Sequence, residues 1–185
     1  IAARLNELRH TLPGSVQLHY AVKANPMPDV VQYVSERVDG LDVASAGELA
    51  LAVRSNCAPA DISFAGPGKK EIELQAAISA GITINVESPL ELERIGRLAG
   101  QEKPRVAIRV NPDFELKSSG MRMSGGAKQF GIDAEIVPDV LKRVANLSVR
   151  FVGFHIFSGA QNLNAESICE SQRKALALAM ELSRY

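Results

Sequence analysis

Short runs of β-branched and apolar residues alternate with amphipathic segments along the whole chain. The runs predict six strands, at residues 16–23, 40–44, 61–65, 82–87, 105–110 and 149–157. The amphipathic segments predict a leading helix up to about Leu12 and further helices at about 28–38, 46–54, 70–80, 89–99, 135–145 and 165–183. Repeated β-α units indicate parallel strands that are connected by helices.

Alternate positions within the predicted strands separate into an apolar set and a small or polar set. The apolar set includes Leu41, Val43, Val106, Ile108 and Val110. The opposite set comprises Gln17, His19, Ala21, Lys23, Asp42, Ala44, Ser63, Ala65, Asn85, Glu87, Ala107, Arg109, Asn111, Gly153, His155 and Phe157. A doubly wound sheet is apolar on both faces, whereas a barrel turns one face toward its lumen. The pattern therefore favours an α/β fold of the (β/α)8 TIM-barrel type over a Rossmann-type sheet, truncated to about six βα units.

Polar members of the second set lie mostly near the carboxyl ends of the predicted strands, where barrel enzymes hold their active sites. The side chains expected at this mouth are Lys23, Asp42, Glu87, Arg109, His155 and Phe157. Desolvation there would lower the pKa of Lys23, and a neutral amine can form a Schiff base with a carbonyl compound. The alternatives are a structural Lys23 in a salt bridge with Asp42 or Glu87, a buried core His155, and a Phe157 that only fills the barrel.

Composition narrows the classes of function. The 185 residues carry 21 Lys+Arg and 21 Asp+Glu, so that the net charge is zero and no nucleic-acid or acidic-membrane partner is indicated. The chain contains no apolar run long enough for a transmembrane helix, and no signal-peptide pattern opens it. Cys57 and Cys169 are far apart and lack metal-ligand spacing; free thiols in the cytoplasm are expected. The segment FAGPGK (Phe64–Lys69) lacks P-loop spacing, and a strand-to-helix turn is predicted there.

Seven motifs occur in order along nearly the whole chain. They are YAVKAN (Tyr20–Asn25), GLDVASAGEL (Gly40–Leu49), FAGPGK, NVESPLEL (Asn85–Leu92), RVNP (Arg109–Pro112), QFGI (Gln129–Ile132) and GFHIFSGAQ (Gly153–Gln161). Together they resemble the fold-type III pyridoxal-phosphate decarboxylases, the group of the diaminopimelate, ornithine and arginine decarboxylases. The form HIFSGAQNLN is similar to the exosortase-associated, decarboxylase-like branch of that group.

The resemblance implies a catalytic lysine and a set of cofactor-binding residues. Lys23 would bind pyridoxal 5'-phosphate as a Schiff base, and the cofactor ring would act as electron sink while an amino acid loses CO₂. The implied substrate is diaminopimelate-like or a related basic amino acid. Cofactor-binding residues implied by the matching motifs are Lys23, Asp42, Arg109, His155, Phe157, Ser158 and Gly159. Glu48 also matches a family position, without a certain role, and no metal is implied.

Two residues depart from the family motif His-x-His-x-Gly-Ser-Gln. Phe157 stands where the second histidine would stack on the cofactor, and a phenyl ring can stack but cannot hydrogen-bond. Ala160 stands where a serine would reach the cofactor phosphate, so that Ser158 or backbone N–H groups would have to replace that contact. These departures put diaminopimelate in question as the substrate.

Other family features are expected beyond residue 185. They are a glycine-rich phosphate loop, an acidic partner for the pyridine nitrogen and a C-terminal β domain. Residues 1–185 are therefore interpreted as an incomplete N-terminal pyridoxal-phosphate-binding barrel domain of a homodimeric enzyme, inactive alone. An alanine-racemase-like enzyme and a non-catalytic, decarboxylase-like binding protein are the alternatives.

Overall fold

Strands and helices alternate throughout the part of the chain that the computed structural model describes, residues 1–112, 114, 129–157, 159 and 163–185. These residues form a first unit, 1–84, and a second unit, 85–185. The boundary falls within a strand, after Ile84.

The first unit contains parallel strands with a helix between each strand and the next. Its elements are α1 (Ala2–Thr11), β1 (His19–Ala21), α2 (Pro28–Ser35), β2 (Gly40–Val43), α3 (Ala46–Val53), β3 (Ile62–Phe64), α4 (Glu71–Ser79) and the first half of β4 (Thr83–Val86). β1 pairs with β2, β2 with β3 and β3 with β4, all parallel. Short 3-10 helices lie at Val22–Ala24 and Pro59–Asp61.

The second unit repeats the pattern of strand and helix. Its further elements are α5 (Pro89–Leu98), β5 (Arg105–Asn111), β6 (Ile132–Asp133), a 3-10 helix (Ala134–Ile136), α6 (Val137–Ala145), β7 (Arg150–Ile156) and α7 (Ala165–Leu182). β5 pairs in parallel with both β6 and β7. Six strand-and-helix units are thus present in the described residues, as predicted, and β6 is an additional strand of two residues.

Burial confirms the predicted apolar set in β2 and β5. Leu41 and Val43 of β2, and Val106, Ile108 and Val110 of β5, are at most 2% exposed. The helices contribute their own apolar stripes to these cores, including Val34 and Leu49 in the first unit and Leu92, Ile95 and Val140 in the second. The opposite set of strand positions forms the polar face, which carries the candidate functional residues.

The prediction of a strand over residues 16–23 is wrong at both ends. Val16 is exposed, and β1 comprises only His19–Ala21. A 3-10 turn follows, in which the N–H of Asn25 donates to the carbonyl of Val22 at 3.1 Å. Val22 is fully buried by this turn, so its apolar character reflects helical rather than strand geometry.

An extra residue interrupts the pairing of β7 with β5. Phe151 lies opposite Val106 and Gly153 lies opposite Ala107, so that Val152 has no counterpart in β5. This is a β-bulge, and Gly153 adopts φ +141°, which favours glycine. Beyond the bulge, His155 lies opposite Arg109.

None of the helices in the described residues has the length and apolar character needed to cross a membrane. Among the same residues, no group of three or more His, Cys, Asp or Glu side chains is placed to hold a metal ion.

Candidate functional site

Lys23 lies on the 3-10 turn that directly follows β1, at the carboxyl end of that strand. Its side chain is exposed, and no hydrogen bond or ion pair within the described residues involves its amine. The prediction that Lys23 is buried and desolvated is therefore wrong for the described residues. The reason is that β1 ends at Ala21, so the alternation of inward and outward side chains does not extend to residue 23. An aldehyde cofactor requires an accessible lysine amine, and Lys23 meets that requirement.

Asp42, on β2, lies opposite Ala21 of β1. Ala21 is two residues before Lys23 in the chain. Ser63, opposite Asp42 on β3, donates its hydroxyl to Oδ1 of Asp42. Nδ1 of His19 lies 3.7 Å from the same oxygen. On the polar face of the first unit, Ser63 and Asp42 thus lie side by side, and His19 of β1 lies diagonally across from Asp42.

Acidic neighbours surround His19. The adjacent Asp42 carboxylate is the largest cause that raises the pKa of His19; partial burial opposes it, and Asp42, Asp39 and Asp61 add further attraction for the charged form. His19 therefore gains a proton more readily than an exposed histidine. Sequence analysis placed His19 and Ser63 on the polar face but assigned neither a role, because the register between strands is not visible in the sequence.

Arg109 in β5 is paired with an acidic residue at the end of β4. Its guanidinium donates to Oε1 of Glu87 at 2.8 Å, while the other carboxylate oxygen of Glu87 accepts from the N–H of Gly131 at 3.2 Å. Both charged side chains are buried. Because Glu87 neutralises it, Arg109 is not an isolated cation that could serve as a phosphate anchor.

Two aromatic rings of the second unit lie close to the same guanidinium. The centroid of Phe130 is 4.8 Å from Arg109 Cζ, and that of Phe157 is 5.9 Å away. Both distances lie within cation–π range. Phe157 thus has a contact in the described residues that a charged histidine at this position would not share. Phe130, within the QFGI motif, was given no role by sequence analysis.

The remaining candidates of the second unit follow β7. His155 is partly buried and lies opposite Arg109 in the parallel pair. Gly159 adopts φ +142°, a backbone conformation that L-residues with side chains rarely adopt. Ser158, together with Ala160, lies outside the described residues.

Three helices have their N-termini occupied by side chains of the chain itself. Ser45 caps α3 and Ser88 caps α5. Glu48 and Glu91, three residues on, accept the N–H groups of residues 44 and 87. Glu73 of α4 likewise accepts from backbone N–H groups of residues 46 and 70. Glu48 therefore acts as a helix cap, and these three N-termini are not vacant anion sites.

The FAGPGK segment is a strand-to-helix turn, as predicted. It connects β3 to α4, and Gly66 adopts φ +140°. Lys69 is buried, and its amine donates to the carbonyl of Gly66 at 2.7 Å. Lys69 thus closes this turn.

The second unit also contains a cleft of about 760 Å³ that lies away from the candidate site residues. Its lining includes Asn111, Asp133, Lys174, Glu181 and Tyr185. None of the predicted site residues lines it, so it adds no member to the candidate site.

Comparison with known proteins gives a consistent family. A family model described as "Pyridoxal-dependent decarboxylase, pyridoxal binding domain" matches residues 1–185. The L-glutamyl-(BtrI acyl-carrier protein) decarboxylase of Niallia circulans is 38% identical over all of this chain and 44% of its own length. The diaminopimelate decarboxylase of Aquifex aeolicus is 36% identical over all of this chain and 45% of its own length.

A solved structure gives the same result for the fold. The diaminopimelate decarboxylase of M. jannaschii, in complex with L-lysine, matches with a TM-score of 0.85 and 29% identity, over 99% of this chain and 45% of that one. The predicted fold class, a (β/α)8 barrel present in part, is confirmed by this likeness. The chain spans less than half the length of the curated relatives it matches.

Proposed function

Because the chain belongs to the family of pyridoxal-dependent decarboxylases, we propose that Lys23 binds pyridoxal 5'-phosphate through a Schiff base and that the protein decarboxylates an amino acid. The observation that carries this proposal is the placement of Lys23. Its side chain is exposed at the carboxyl end of β1, and its backbone lies in a 3-10 turn whose first residue, Val22, is fully buried.

The bound cofactor would supply an electron sink for the carbanion that remains after loss of CO₂. The chain's own residues have separate tasks in the proposal. Lys23 would provide the amine that holds the cofactor and would move a proton at its Nζ. Asp42 provides a negative charge in the strand beside β1, oriented by Ser63.

Residues of the second unit are proposed to serve cofactor binding as the family resemblance implies. Phe157 would offer a stacking face, and Arg109 would act as a neutralised pair with Glu87 rather than as a lone cation. Gly159 would allow close approach of its backbone. That these groups, His155 and Ser158 act together with Lys23 stays a prediction.

The phosphate group is proposed to bind elsewhere than at α3, α4 or α5. Glu48, Glu73 and Glu91 already occupy the N–H groups near those helix starts, and their negative charges would repel a phosphate. Backbone N–H groups after β7 are the proposed contribution of this chain.

The proposed substrate is an α-amino acid, diaminopimelate-like or a related basic compound. Relatives act on different amino-acid carboxylates, among them an L-glutamyl group on an acyl-carrier protein and diaminopimelate. The substrate therefore stays open within this class. A homodimer and a cytoplasmic location remain predictions from the resemblance and the composition.

Covalent trapping tests the role of Lys23. The protein is incubated with pyridoxal phosphate and reduced with borohydride, and its peptides are mapped by mass spectrometry. We expect the phosphopyridoxyl group on Lys23 and the loss of visible cofactor absorbance in Lys23→Ala. Lys103→Ala, which changes an exposed lysine between α5 and β5, is the matched control and should keep both signals. Label on another lysine, or unchanged absorbance in Lys23→Ala, would contradict the assignment.

Product analysis separates the proposed reaction from its alternatives. The full-length protein, loaded with pyridoxal phosphate, is incubated with diaminopimelate, lysine, ornithine, arginine and glutamate, and released CO₂ is measured. Release from one of them supports decarboxylation. Exchange of the α-proton without CO₂ would indicate a racemase, and neither signal despite a labelled Lys23 would indicate a binding protein.

A further inference from the structure

His19 is a partly buried ionisable side chain to which the proposed reaction assigns no task. It belongs to β1, four residues before Lys23, and it faces Asp42 across the strand pair. We propose that His19 is a positioning residue whose imidazolium, paired with Asp42, holds that carboxylate in place beside the strand that leads to Lys23. This inference rests on the proposed function, because Asp42 is expected to lie at the cofactor.

The backbone of β2 leaves room for the imidazole. Gly40 lies directly opposite His19 in the parallel pair. A Cβ at residue 40 would lie 2.4 Å from Cε1 and 2.7 Å from Nδ1 of His19, and 2.3 Å from the carbonyl oxygen of Asp61. Any side chain at residue 40 would displace the ring, so that this glycine is required for the observed position of His19.

The charges around His19 identify Asp42 as its functional partner. Of the three neighbouring carboxylates, Asp39 already accepts from the guanidinium of Arg9 and from the N–H of Leu18. Asp61, the residue that precedes β3, attracts the charged form of His19 from a greater distance. Asp42 lies at 3.7 Å and is the nearest titratable partner of His19.

Ser63 and His19 would hold Asp42 in different ways. The serine hydroxyl gives a neutral hydrogen bond that does not depend on pH near neutrality. The imidazole is charged only below its own pKa, and the neighbouring carboxylates raise that pKa above the ordinary value. The position of Asp42, and with it cofactor affinity, should therefore change as the pH rises through the titration of His19.

The pair itself can be tested without cofactor. The 185 residues contain three histidines, at positions 10, 19 and 155, so that each of these imidazoles can be followed by NMR during a pH titration. We expect Asp42→Asn to lower the pKa of His19 and to leave the NMR signals of His10, on α1, unchanged. An unchanged pKa of His19 would overturn the pairing.

Cofactor binding tests the positioning role. We expect the Kd for pyridoxal phosphate to rise about two- to fivefold as the pH passes through the pKa of His19, the range expected when a partly exposed ion pair is lost. His19→Gln should lack this step, and His10→Gln, an exposed histidine on α1, should keep it. Ser63→Ala should bind more weakly at every pH but keep the step, because serine does not titrate.

The outcomes separate this inference from the proposed function. A step retained in folded His19→Gln, with cofactor still attached to Lys23, would overturn the positioning role alone. Label on another lysine would overturn the proposed function, whatever the NMR titration shows. If His19→Gln does not fold by circular dichroism, Asp42→Asn should remove the same step, and its retention there would equally overturn the inference.

Discussion

The guanidinium of Arg109 donates to the carboxylate of Glu87 at 2.8 Å, and less than a tenth of either residue is exposed. A buried pair of this kind replaces the hydration of two charges by one mutual interaction. Glu87 also accepts from Gly131, so the same carboxylate joins the end of β4 to the residue before β6. The pair is therefore a structural element of the second unit, whatever further role it has.

Removing one charge of this pair should be costly. Glu87→Gln leaves a buried guanidinium without its counter-ion, and we expect a loss of about 3 kcal/mol or more in the free energy of unfolding. Urea denaturation measures this loss. Glu93→Gln is the matched control, because Glu93 pairs with Arg143 at 3.0 Å on an exposed surface, and it should cost less than about 1 kcal/mol.

A second variant checks the cause of that loss. Adding Arg109→Met to Glu87→Gln removes the uncompensated charge, so part of the lost stability should return. Equal losses in Glu87→Gln and Glu93→Gln would show that burial does not govern these pairs.

Gly40→Ala should destabilise the first unit. The new methyl group would overlap the carbonyl of Asp61 and the ring of His19, and overpacking of this kind costs about 1–3 kcal/mol. Gly14→Ala is the comparison, since no atom lies within 4 Å of the Cβ built there, and it should be neutral or slightly stabilising. Urea denaturation of both variants gives the difference, and equal stabilities would refute the overlap.

The two serine–glutamate caps should differ in strength although their sequences are alike. Glu91 is buried and accepts the N–H of Glu87 at 2.7 Å, whereas Glu48 is only partly buried and accepts an exposed N–H at 2.8 Å. Glu91→Ala leaves a buried donor unsatisfied, which costs about 1–3 kcal/mol; water can replace Glu48. Thermal unfolding should show the larger decrease for Glu91→Ala, and a larger decrease for Glu48→Ala would contradict this account.

Stability should fall as the pH rises above neutrality, in part through His19. The pKa of His19 is raised in the folded state, so its contribution is fully present below its unfolded value of about 6.5 and is lost as the pH passes the folded value. Asp39 has the opposite sign: its pKa is lowered by Arg9 and Leu18, so its contribution is lost only in acid. Urea denaturation between about pH 6 and pH 8 reports on His19 at pH values below the titration of Cys57, the pKa of which burial raises, and His19→Gln should flatten the curve. An equally steep curve in that variant would assign the effect to other groups.

Much of the fold could be predicted because it is encoded by periodicity. All six predicted strands are present, and the apolar set in β2 and β5 is buried as expected. β6 was not predicted, because two residues are too short for any periodic pattern. The early end of β1 was also missed, since Val22 continues the apolar run while its backbone already turns.

The candidate site could be predicted in its residues but not in its pairings. Parity placed Glu87 and Arg109 on the polar face, yet Glu87 was considered as a partner of Lys23. The structure pairs it with Arg109 instead. Which residues of neighbouring strands lie side by side depends on register, and nothing local in the sequence encodes it. The contacts of His19 and Ser63 with Asp42 could not be predicted for the same reason.

The extra residue at Val152 determines which side of β7 carries chemistry. If the pairing that starts at Arg150 continued without the bulge, Phe154 would lie opposite Arg109, and His155 would lie opposite Val110. Without the bulge, the present sequence would therefore turn its histidine toward the helices, whereas deleting one residue between Phe151 and Gly153 would remove the bulge and keep His155 opposite Arg109. Residue roles in the second half of β7 are therefore transferred between sequences by counting from Gly153 rather than from Arg150.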